Sequence, residues 1–222
     1  MVKYFMLRKI IGFIVLLVIF NLIILILAPG IFNDVFLLIS LAVFYFYLLI
    51  EQVYKIEPPA DYQPQWRDAL LILMFFLFPF LFVLSFHEKQ SIIPGLLPFW
   101  DTELVRYAGL FILVIGEIIT FSSRLSLGRY GTTVIIVEDD HQLITSGVYG
   151  YVRHPIYLGG LLLYTGIILA FGGFLVPFVM FIVWLLLMHG RLRLEEKLLE
   201  EKFGEEYRDY KKRTKKLIPF IY

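Results

Sequence analysis

The chain of 222 residues carries a formal net charge of +1, and 59% of its residues are hydrophobic. Its mean hydropathy is +0.80, and only 18% of its residues are charged, against roughly 25% in an ordinary globular protein. These values exclude a disordered chain and a nucleic-acid binder built on a broad basic surface. The absence of cysteine excludes disulfides, thiolate metal sites and cysteine nucleophiles. The composition is that of an integral membrane protein.

Six apolar stretches approach the length of about 20 residues that a membrane-spanning helix needs. They are Ile10–Ala28, Val35–Ile50, Ala69–Phe86, Leu104–Phe121, Ile156–Phe171 and Phe174–His189. Basic residues precede the first stretch, as in a signal peptide. That stretch is nevertheless too long for a signal peptide's apolar region and lacks a small-residue cleavage site. We therefore expect an all-α integral membrane protein with about six transmembrane helices.

The lysine and arginine residues are distributed unequally between the two sides of this arrangement. With the N-terminus in the cytoplasm, all but two of the 20 fall in cytoplasmic segments, and ten lie between Arg191 and Lys216. The two others are Lys89, on the outer side, and Arg106, at the head of the fourth span. Because cytoplasmic loops carry the excess of basic residues, both termini are predicted to be cytoplasmic.

Polar residues concentrate after the fourth span. The connection Ser122–Pro155 is rich in glycine and polar residues, and connections of this length are uncommon unless they are functional or disordered. Its apolar run Val134–Val137 argues against disorder. We therefore divide the chain into a four-helix membrane region, residues 1–121, and a second region, residues 122–222, with a cytoplasmic loop, a helical hairpin and a C-terminal helix.

The fifth and sixth spans are separated only by Gly172 and Gly173, which predicts a tight hairpin. Small residues along the fifth span predict a surface that another helix can approach closely. They are Gly159, Gly160, Gly166 and Ala170.

The motif Arg153-His154-Pro155-Ile156-Tyr157 is the most distinctive local feature. Pro155 suits the first turn of a helix, because proline has no amide to lose there. Arg153 and His154 would then lie at a helix N-terminus, which favours anions, and arginine adds a fork for carboxylate or phosphate. Both residues could instead be interfacial side chains that reach toward water. The spacing leaves the two interpretations open.

The tail from Arg191 predicts a helix that leaves the sixth span and stops near Gly204. Glu195 and Glu196 are each followed by another glutamate four residues later, so pairing within the helix does not explain these acids. The alternative to a functional site is a solvated helix whose basic end lies on anionic lipid.

Glu117 interrupts the fourth span, and an intramembrane carboxylate is a candidate functional group. It could also be buried against polar neighbours or lie near the interface. No site for a metal is predicted, because the four histidines show neither paired spacing nor an accompanying acidic cluster. Dinucleotide fingerprints, phosphate loops and Ser-His-Asp patterns are absent as well.

Together, the motifs from Leu127 onward resemble the membrane methyltransferases of the isoprenylcysteine carboxyl methyltransferase and phospholipid N-methyltransferase group. The matching pieces are Leu127-Gly128-Arg129, His141–Tyr149, Arg153–Tyr157, Arg191, Glu195-Glu196 and Phe203–Tyr210, ending near Leu217-Ile218-Pro219. Each piece is weak alone, but the ordered set, which covers a little under half of the chain, is specific.

This resemblance implies a methyltransferase that uses S-adenosylmethionine and acts on a lipophilic acceptor at the cytoplasmic membrane face. The acceptor could be a prenylcysteine carboxylate or a lipid headgroup, and membrane lipid is the expected surrounding. The predicted cofactor-binding residues are His141, Leu143, Gly147, Tyr149, Arg153, His154, Tyr157 and Glu195. The predicted catalytic residues are Arg191 and Glu196.

The roles of the catalytic pair depend on the acceptor. For a carboxylate, Arg191 would be the clamp and Glu196 its orienting partner. For an amine or thiol, Glu196 or another acid could take part in deprotonation. The sequence leaves this choice and the oligomeric state open.

Two other function classes compete with the methyltransferase. A nicotinamide-dependent reductase of the sterol reductase kind has a related membrane fold, but its motifs match less well than those of the methyltransferases. A non-enzymatic membrane scaffold would use the basic tail to bind anionic lipid. Binding of either cofactor would exclude the scaffold.

Overall fold

The computed structural model of the chain describes residues 2–53, 80, 82–91, 102–130 and 142–218. Regular structure in these ranges is helical, apart from one parallel bridge between Val152 and Lys215. The helices are α1 (Val2–Leu27), α2 (Val35–Val53), α3 (residues 82–91), α4 (Glu103–Leu127), α5 (Pro155–Phe171), α6 (Leu175–Phe203) and α7 (Glu205–Arg213). The expected all-α fold is therefore confirmed for the described part of the chain.

The helices carry an apolar outer surface that suits a lipid environment. Leu104, Leu186 and Ile26 expose 80%, 70% and 74% of their surface, and large exposed apolar surfaces are uncommon on soluble monomers. Helices α4 and α6 are long and apolar enough to cross a membrane, and α5 is a shorter apolar helix. The third predicted span, Ala69–Phe86, falls mostly outside the described residues. The number of six spans and the cytoplasmic termini therefore stay predictions.

The first three helices share an apolar core with the end of α5. Ile24 of α1, Leu37 of α2 and Phe82 of α3 are almost fully buried in this core. The Phe82 ring meets Phe171, the last residue of α5, edge to face, with ring centroids 4.1 Å apart. This packing joins the N-terminal helices to the hairpin that α5 and α6 form.

The small residues predicted on α5 allow two helices to approach closely. A Cβ atom on Gly166 would lie 2.5 Å from the backbone nitrogen of Leu113 and 2.7 Å from the carbonyl oxygen of Gly109, both on α4. One on Gly160 would lie 2.6 Å from the Trp184 ring of α6. The prediction of a small-residue contact surface is confirmed, and it fixes α5 between α4 and α6.

Replacing Gly166 by alanine is expected to lower stability by about 1–3 kcal/mol, because the added methyl group meets backbone atoms that cannot rotate away. Thermal unfolding in detergent measures the effect. Gly190→Ala is the matched control, because nothing lies within 4 Å of a Cβ at that helical position. Equal melting temperatures for Gly166→Ala and the unaltered protein would contradict the close packing.

A buried carboxylate of α3 holds the start of α6. Glu88 is 5% exposed and accepts hydrogen bonds from the backbone amides of Phe174, Leu175 and Val176. Amides in the first turn of a helix have no partner within the helix, and negative charge is favourable beside them. Glu88 therefore fixes the turn of the α5–α6 hairpin.

Helices α4 and α6 extend past their predicted ends. Helix α4 continues to Leu127, so the predicted boundary after residue 121 lies within a helix. Helix α6 is continuous over 29 residues and joins the sixth predicted span to the predicted tail helix. It ends before Gly204, as predicted, where φ is +51°, a left-handed conformation that glycine adopts without strain. A single continuous helix thus joins the apolar sixth span to the polar residues of the tail.

Glu117 lies on the inward face of α4 and is only 5% exposed. It shares that face with Thr120 and Arg124, which are also buried. This burial argues against the interfacial interpretation of Glu117. The functional and the structural interpretations both stay open.

Candidate active site

The first turn of α5 meets the last turns of α6 through side chains that the sequence singled out. His154 precedes Pro155 at the start of α5, and its Nε2 lies 3.2 Å from Oε1 of Glu196. The other ring nitrogen, Nδ1, lies 3.7 Å from Oε1 of Glu195. The Tyr157 hydroxyl donates a hydrogen bond of 2.7 Å to Glu195 Oε2. Two acids and two ring side chains therefore form one cluster.

Glu196 receives two further cations. Arg153 approaches Oε1 with Nε and Nη2, each at 3.1 Å, and Lys216 places Nζ 2.9 Å from Oε2. The side chains of Glu196, Arg153 and Lys216 expose 15%, 10% and 17% of their surface. Ion pairs this far removed from water are screened less than surface pairs. Glu196 is consequently held in one position by three side chains.

Arg191 acts on the other acid of the cluster, Glu195. It is buried, and its charge acts on both Tyr157 and Glu195. Tyr157 in turn donates its hydroxyl proton to Glu195. Arg191 therefore supplies positive charge beside this hydrogen bond. The sequence had paired Arg191 with Glu196, whereas in the structure its charge acts on Glu195.

The C-terminal strap, residues 214–218, lies along the residues that precede α5. The backbone amides of Arg153 and His154 donate to the carbonyl oxygens of Lys215 and Lys216, at 2.8 and 3.2 Å. Arg153 Nη1 also donates to the carbonyl oxygen of Thr214 at 2.6 Å. Part of the basic tail is thus folded onto the acidic cluster. The alternative interpretation, in which the basic end of the tail lies on anionic lipid, did not predict this contact.

Helix α7 closes the other side of this arrangement. Tyr207 is fully buried, and the Tyr210 hydroxyl donates a hydrogen bond of 2.6 Å to the backbone carbonyl of Tyr149. The Tyr207 hydroxyl is buried without a hydrogen-bond partner in the described residues. These two tyrosines were not among the sequence candidates, although their spacing of three residues places them on one face of a helix.

The remaining predicted residues flank the cluster. Tyr149 is buried in the turn Gly147–Gly150, and burial, with the charge of Glu195, raises the pKa of its hydroxyl well above 10.0. Gly147 has φ of +62°, a value suited to glycine. Leu143 is partly exposed just before that turn. His141 lies outside the described residues.

The charge state of His154 follows from its two acids. Burial alone would lower the pKa of its imidazole, but the hydrogen bond to Glu196 and the negative charges of Glu195 and Glu196 raise it above 6.5. The charged form is therefore favoured when the protein is folded. With His154 charged, the two carboxylates of the cluster face imidazolium, guanidinium and ammonium groups, and the cations outnumber the acids.

This shift predicts that stability depends on pH. Because the folded-state pKa of His154 is raised, its contribution is fully present below about pH 6.5, the unfolded value, and is lost as pH rises through the folded pKa. Melting temperatures recorded across this range should decline less in His154→Gln than in the unaltered protein. His189→Gln is the control, because His189 is exposed on α6. Identical pH profiles for all three proteins would refute the assignment.

No group of three His, Asp or Glu side chains in the described ranges has the geometry to hold a metal ion. The acids and the histidine of the cluster instead contact basic side chains and tyrosine. This donor set suits a polar organic molecule with both positive and negative groups.

An all-helical protein with an apolar outer surface and a partly buried charged cluster at one helix end has the features of a membrane enzyme. Residues 104–206 match the family model described as phospholipid methyltransferase. A relative from Oryza sativa subsp. indica, named "Probable protein-S-isoprenylcysteine O-methyltransferase", is 33% identical over 156 residues, 69% of this chain and 80% of its own. Protein-S-isoprenylcysteine O-methyltransferase B of Arabidopsis thaliana is 31% identical over 63% of this chain and 70% of its own.

A solved structure shares the fold. The eukaryotic intramembrane Ras methyltransferase ICMT, isoprenylcysteine carboxyl methyltransferase, superimposes with a TM-score of 0.65 at 23% identity, covering 86% of this chain and 67% of that one. The chain belongs to the isoprenylcysteine carboxyl methyltransferase and phospholipid methyltransferase-like family. It is an integral membrane methyltransferase, which confirms the resemblance noted in the sequence and selects the methyltransferase over the reductase and the scaffold.

Proposed function

We propose that this methyltransferase uses S-adenosylmethionine to methylate the carboxylate of a prenylated cysteine or a similar lipophilic acid at the cytoplasmic membrane face. The observation that carries the proposal is the group of Arg191, Tyr157 and Glu195 beside the apolar helices α5 and α6, in which Tyr157 donates to Glu195 and the charge of Arg191 acts on both. A cation and an acid beside apolar helices suit an acceptor that has a carboxylate and an apolar tail. The names of the relatives, protein-S-isoprenylcysteine O-methyltransferase, supply the acceptor class.

The side chains present fit the proposed cofactor. S-adenosylmethionine carries an ammonium, a carboxylate and an adenosine, and the cluster offers acids, cations and tyrosines. Glu195 exposes 30% of its side chain, twice the fraction of Glu196, and is therefore the acid better able to reach a ligand. Buried Tyr207 adds a hydroxyl group without a partner among the described residues. His154, Tyr157 and Tyr149 would complete the pocket.

Arg191 is the proposed clamp for the acceptor carboxylate. Its planar guanidinium can bind a carboxylate through two parallel hydrogen bonds, and it is buried where its charge acts on Tyr157 and Glu195. Glu196 is assigned an indirect role, because Arg153, His154 and Lys216 already surround it. It would position His154 beside Glu195.

When bound, S-adenosylmethionine would supply a methyl group on a sulfonium, for transfer by in-line displacement. Such a step needs alignment and exclusion of water more than a metal or a covalent nucleophile. The protein's contribution is to hold the attacking oxygen with Arg191 and to cover the site with the strap and α7. A carboxylate acceptor is already ionised at neutral pH, so no side chain has to act as a base.

Titration of the detergent-purified protein with S-adenosylhomocysteine tests the cofactor assignment. We expect saturable binding, weakened about tenfold in Tyr157→Phe, because the hydrogen bond that orients Glu195 is lost. Tyr151→Phe is the matched control, since Tyr151 is 70% exposed. Binding of reduced nicotinamide dinucleotide phosphate in place of S-adenosylhomocysteine would overturn the proposal.

The acceptor is tested with N-acetyl-S-farnesylcysteine and its carboxamide analogue. Methylation of the acid but not of the amide supports a carboxylate acceptor. Methylation of a phospholipid amine, with the farnesylated acid unchanged, would overturn the acceptor while leaving the cofactor assignment intact.

A further inference from the structure

A polar cavity lies at the opposite end of α4 from the candidate active site. Its volume is about 370 Å³. Arg106, in its wall, is 18 residues before Arg124, whose charge acts on Tyr149 at the candidate active site. At the rise of an α-helix this separation is about 27 Å, close to the thickness of a bilayer core. The cavity is therefore distinct from the site of methyl transfer.

The wall of this cavity combines cations, amides and aromatic rings. The polar members are Asn33, Asp34, Lys89, Gln90 and Arg106. The rings of Phe36 and Phe86 form apolar parts of the wall. The volume falls in the normal range of small-molecule pockets, and polar residues outnumber the apolar ones in the wall.

The charged groups are held rigidly. Asp34 Oδ1 lies 2.6 Å from Arg106 Nη2, and Asp34 Oδ2 lies 2.9 Å from Lys89 Nζ. Arg106 also donates from Nε to the carbonyl oxygen of Ala170, and its guanidinium carbon is 4.1 Å from the centre of the Phe36 ring. The side chains of Asp34, Lys89 and Arg106 expose only 10–17% of their surface. Their directions are thus fixed before any ligand binds.

The chemistry of the wall favours an anion. The wall contains two cations, two amides and one carboxylate, and both guanidinium and ammonium groups can bond to several acceptors at once. Arginine and lysine together are common ligands of phosphate. Negative charge brought beside them would be screened little, because all three charged side chains are largely buried.

The surroundings of the cavity point to a lipid. Val35, in the wall, is 57% exposed, and Leu104 and Tyr107, on either side of Arg106, are 80% and 59% exposed. These apolar surfaces face hydrocarbon when the helices lie in a bilayer. A ligand that places a compact anion beside such surfaces needs a charged head and apolar chains.

We propose that this cavity binds the phosphate group of an anionic membrane phospholipid. The phosphate lies against Lys89 and Arg106, and the acyl chains follow the exposed apolar surface beside Val35. The bound lipid ties the α1–α2 connection to α3, α4 and the end of α5. It acts at the membrane face opposite the methyl-transfer site and is not a substrate.

Native mass spectrometry of the delipidated, detergent-purified protein tests this site. With dioleoylphosphatidylglycerol as the probe, we expect one tightly bound lipid per chain. Lys89→Gln should weaken this binding about tenfold, the size of one charge-assisted hydrogen bond. Lys197→Gln is the matched control, because Lys197 is 71% exposed on α6 and pairs only with Glu201 among the described contacts. Its affinity should equal that of the unaltered protein.

Two measurements on the unaltered protein keep the proposal falsifiable if Lys89→Gln fails to fold. Dioleoylphosphatidylglycerol should bind at least about tenfold more tightly than dioleoylphosphatidylcholine, because the cationic wall favours net negative charge. Glycerol phosphate should not displace it at matched concentration. Equal binding of the two lipids, full affinity in Lys89→Gln, or displacement by free glycerol phosphate would each overturn the assignment to an anionic lipid.

Discussion

Replacing Arg191 by alanine is expected to lower the turnover of methyl transfer by about 100-fold, whereas the affinity for S-adenosylhomocysteine changes by less than about threefold. The reason is the position of the guanidinium, which is buried and whose charge acts on Tyr157 and Glu195. Loss of a bidentate contact to an acceptor carboxylate affects the reacting geometry directly.

Arg193→Ala is the matched control for this variant. Arg193 lies on the same helix two residues later and is exposed, so its loss removes a positive charge without changing the cluster. Steady-state assays with the farnesylated acid should separate the two variants. Arg191→Lys, which keeps the charge but not the planar fork, should recover part of the turnover. Full turnover in Arg191→Ala would remove this residue from the acceptor site.

The helices and the hairpin could be predicted from the sequence because both depend on local signals. Apolar length predicted α4, α5 and the first part of α6, and Gly172 with Gly173 predicted the turn between the last two. The small residues of α5 predicted its close contact with another helix, and Gly204 predicted the end of α6. The sequence is enough to predict features of this kind, because each of them depends on residues that are close together in the chain.

The pairing within the candidate site could not be predicted in the same way. Motif resemblance identified Arg153, His154, Glu195 and Glu196, but it did not indicate which side chain meets which acid. That choice depends on the rotation of α6 about its axis and on the path that α7 and the strap follow after Gly204. The role of Lys216 could not be predicted, because it is one of many basic residues in the tail and nothing in the sequence distinguishes it from a lysine that faces lipid. Its contact with Glu196 arises only because the chain reverses direction after α6.

Lys216 of the strap is one of three cations around Glu196. Removing the negative charge of Glu196 is therefore expected to lower the stability of the protein more than other changes to the cluster. Glu196→Gln removes the carboxylate that faces Arg153, His154 and Lys216, and leaves these groups largely buried. Removing one partner of a buried pair costs about 3 kcal/mol or more, because the remaining charge stays desolvated. We expect a lower melting temperature and faster hydrogen exchange at the amides of Arg153 and His154, which are bonded to the strap.

Glu201→Gln is the control for charge alone, because Glu201 lies on the same helix with 59% of its side chain exposed. Lys216→Met tests the strap from its own side and should accelerate the same two amides while leaving Arg153 and His154 in contact with Glu196. A double variant should then cost less than the sum of the two single changes, since both remove one contact. Additive losses, or unchanged exchange in Glu196→Gln, would show that the strap is held independently of Glu196. Coupled losses would establish that the C-terminal strap and the acidic cluster form one cooperative unit, in which the last residues of the tail fix the acid that orients His154.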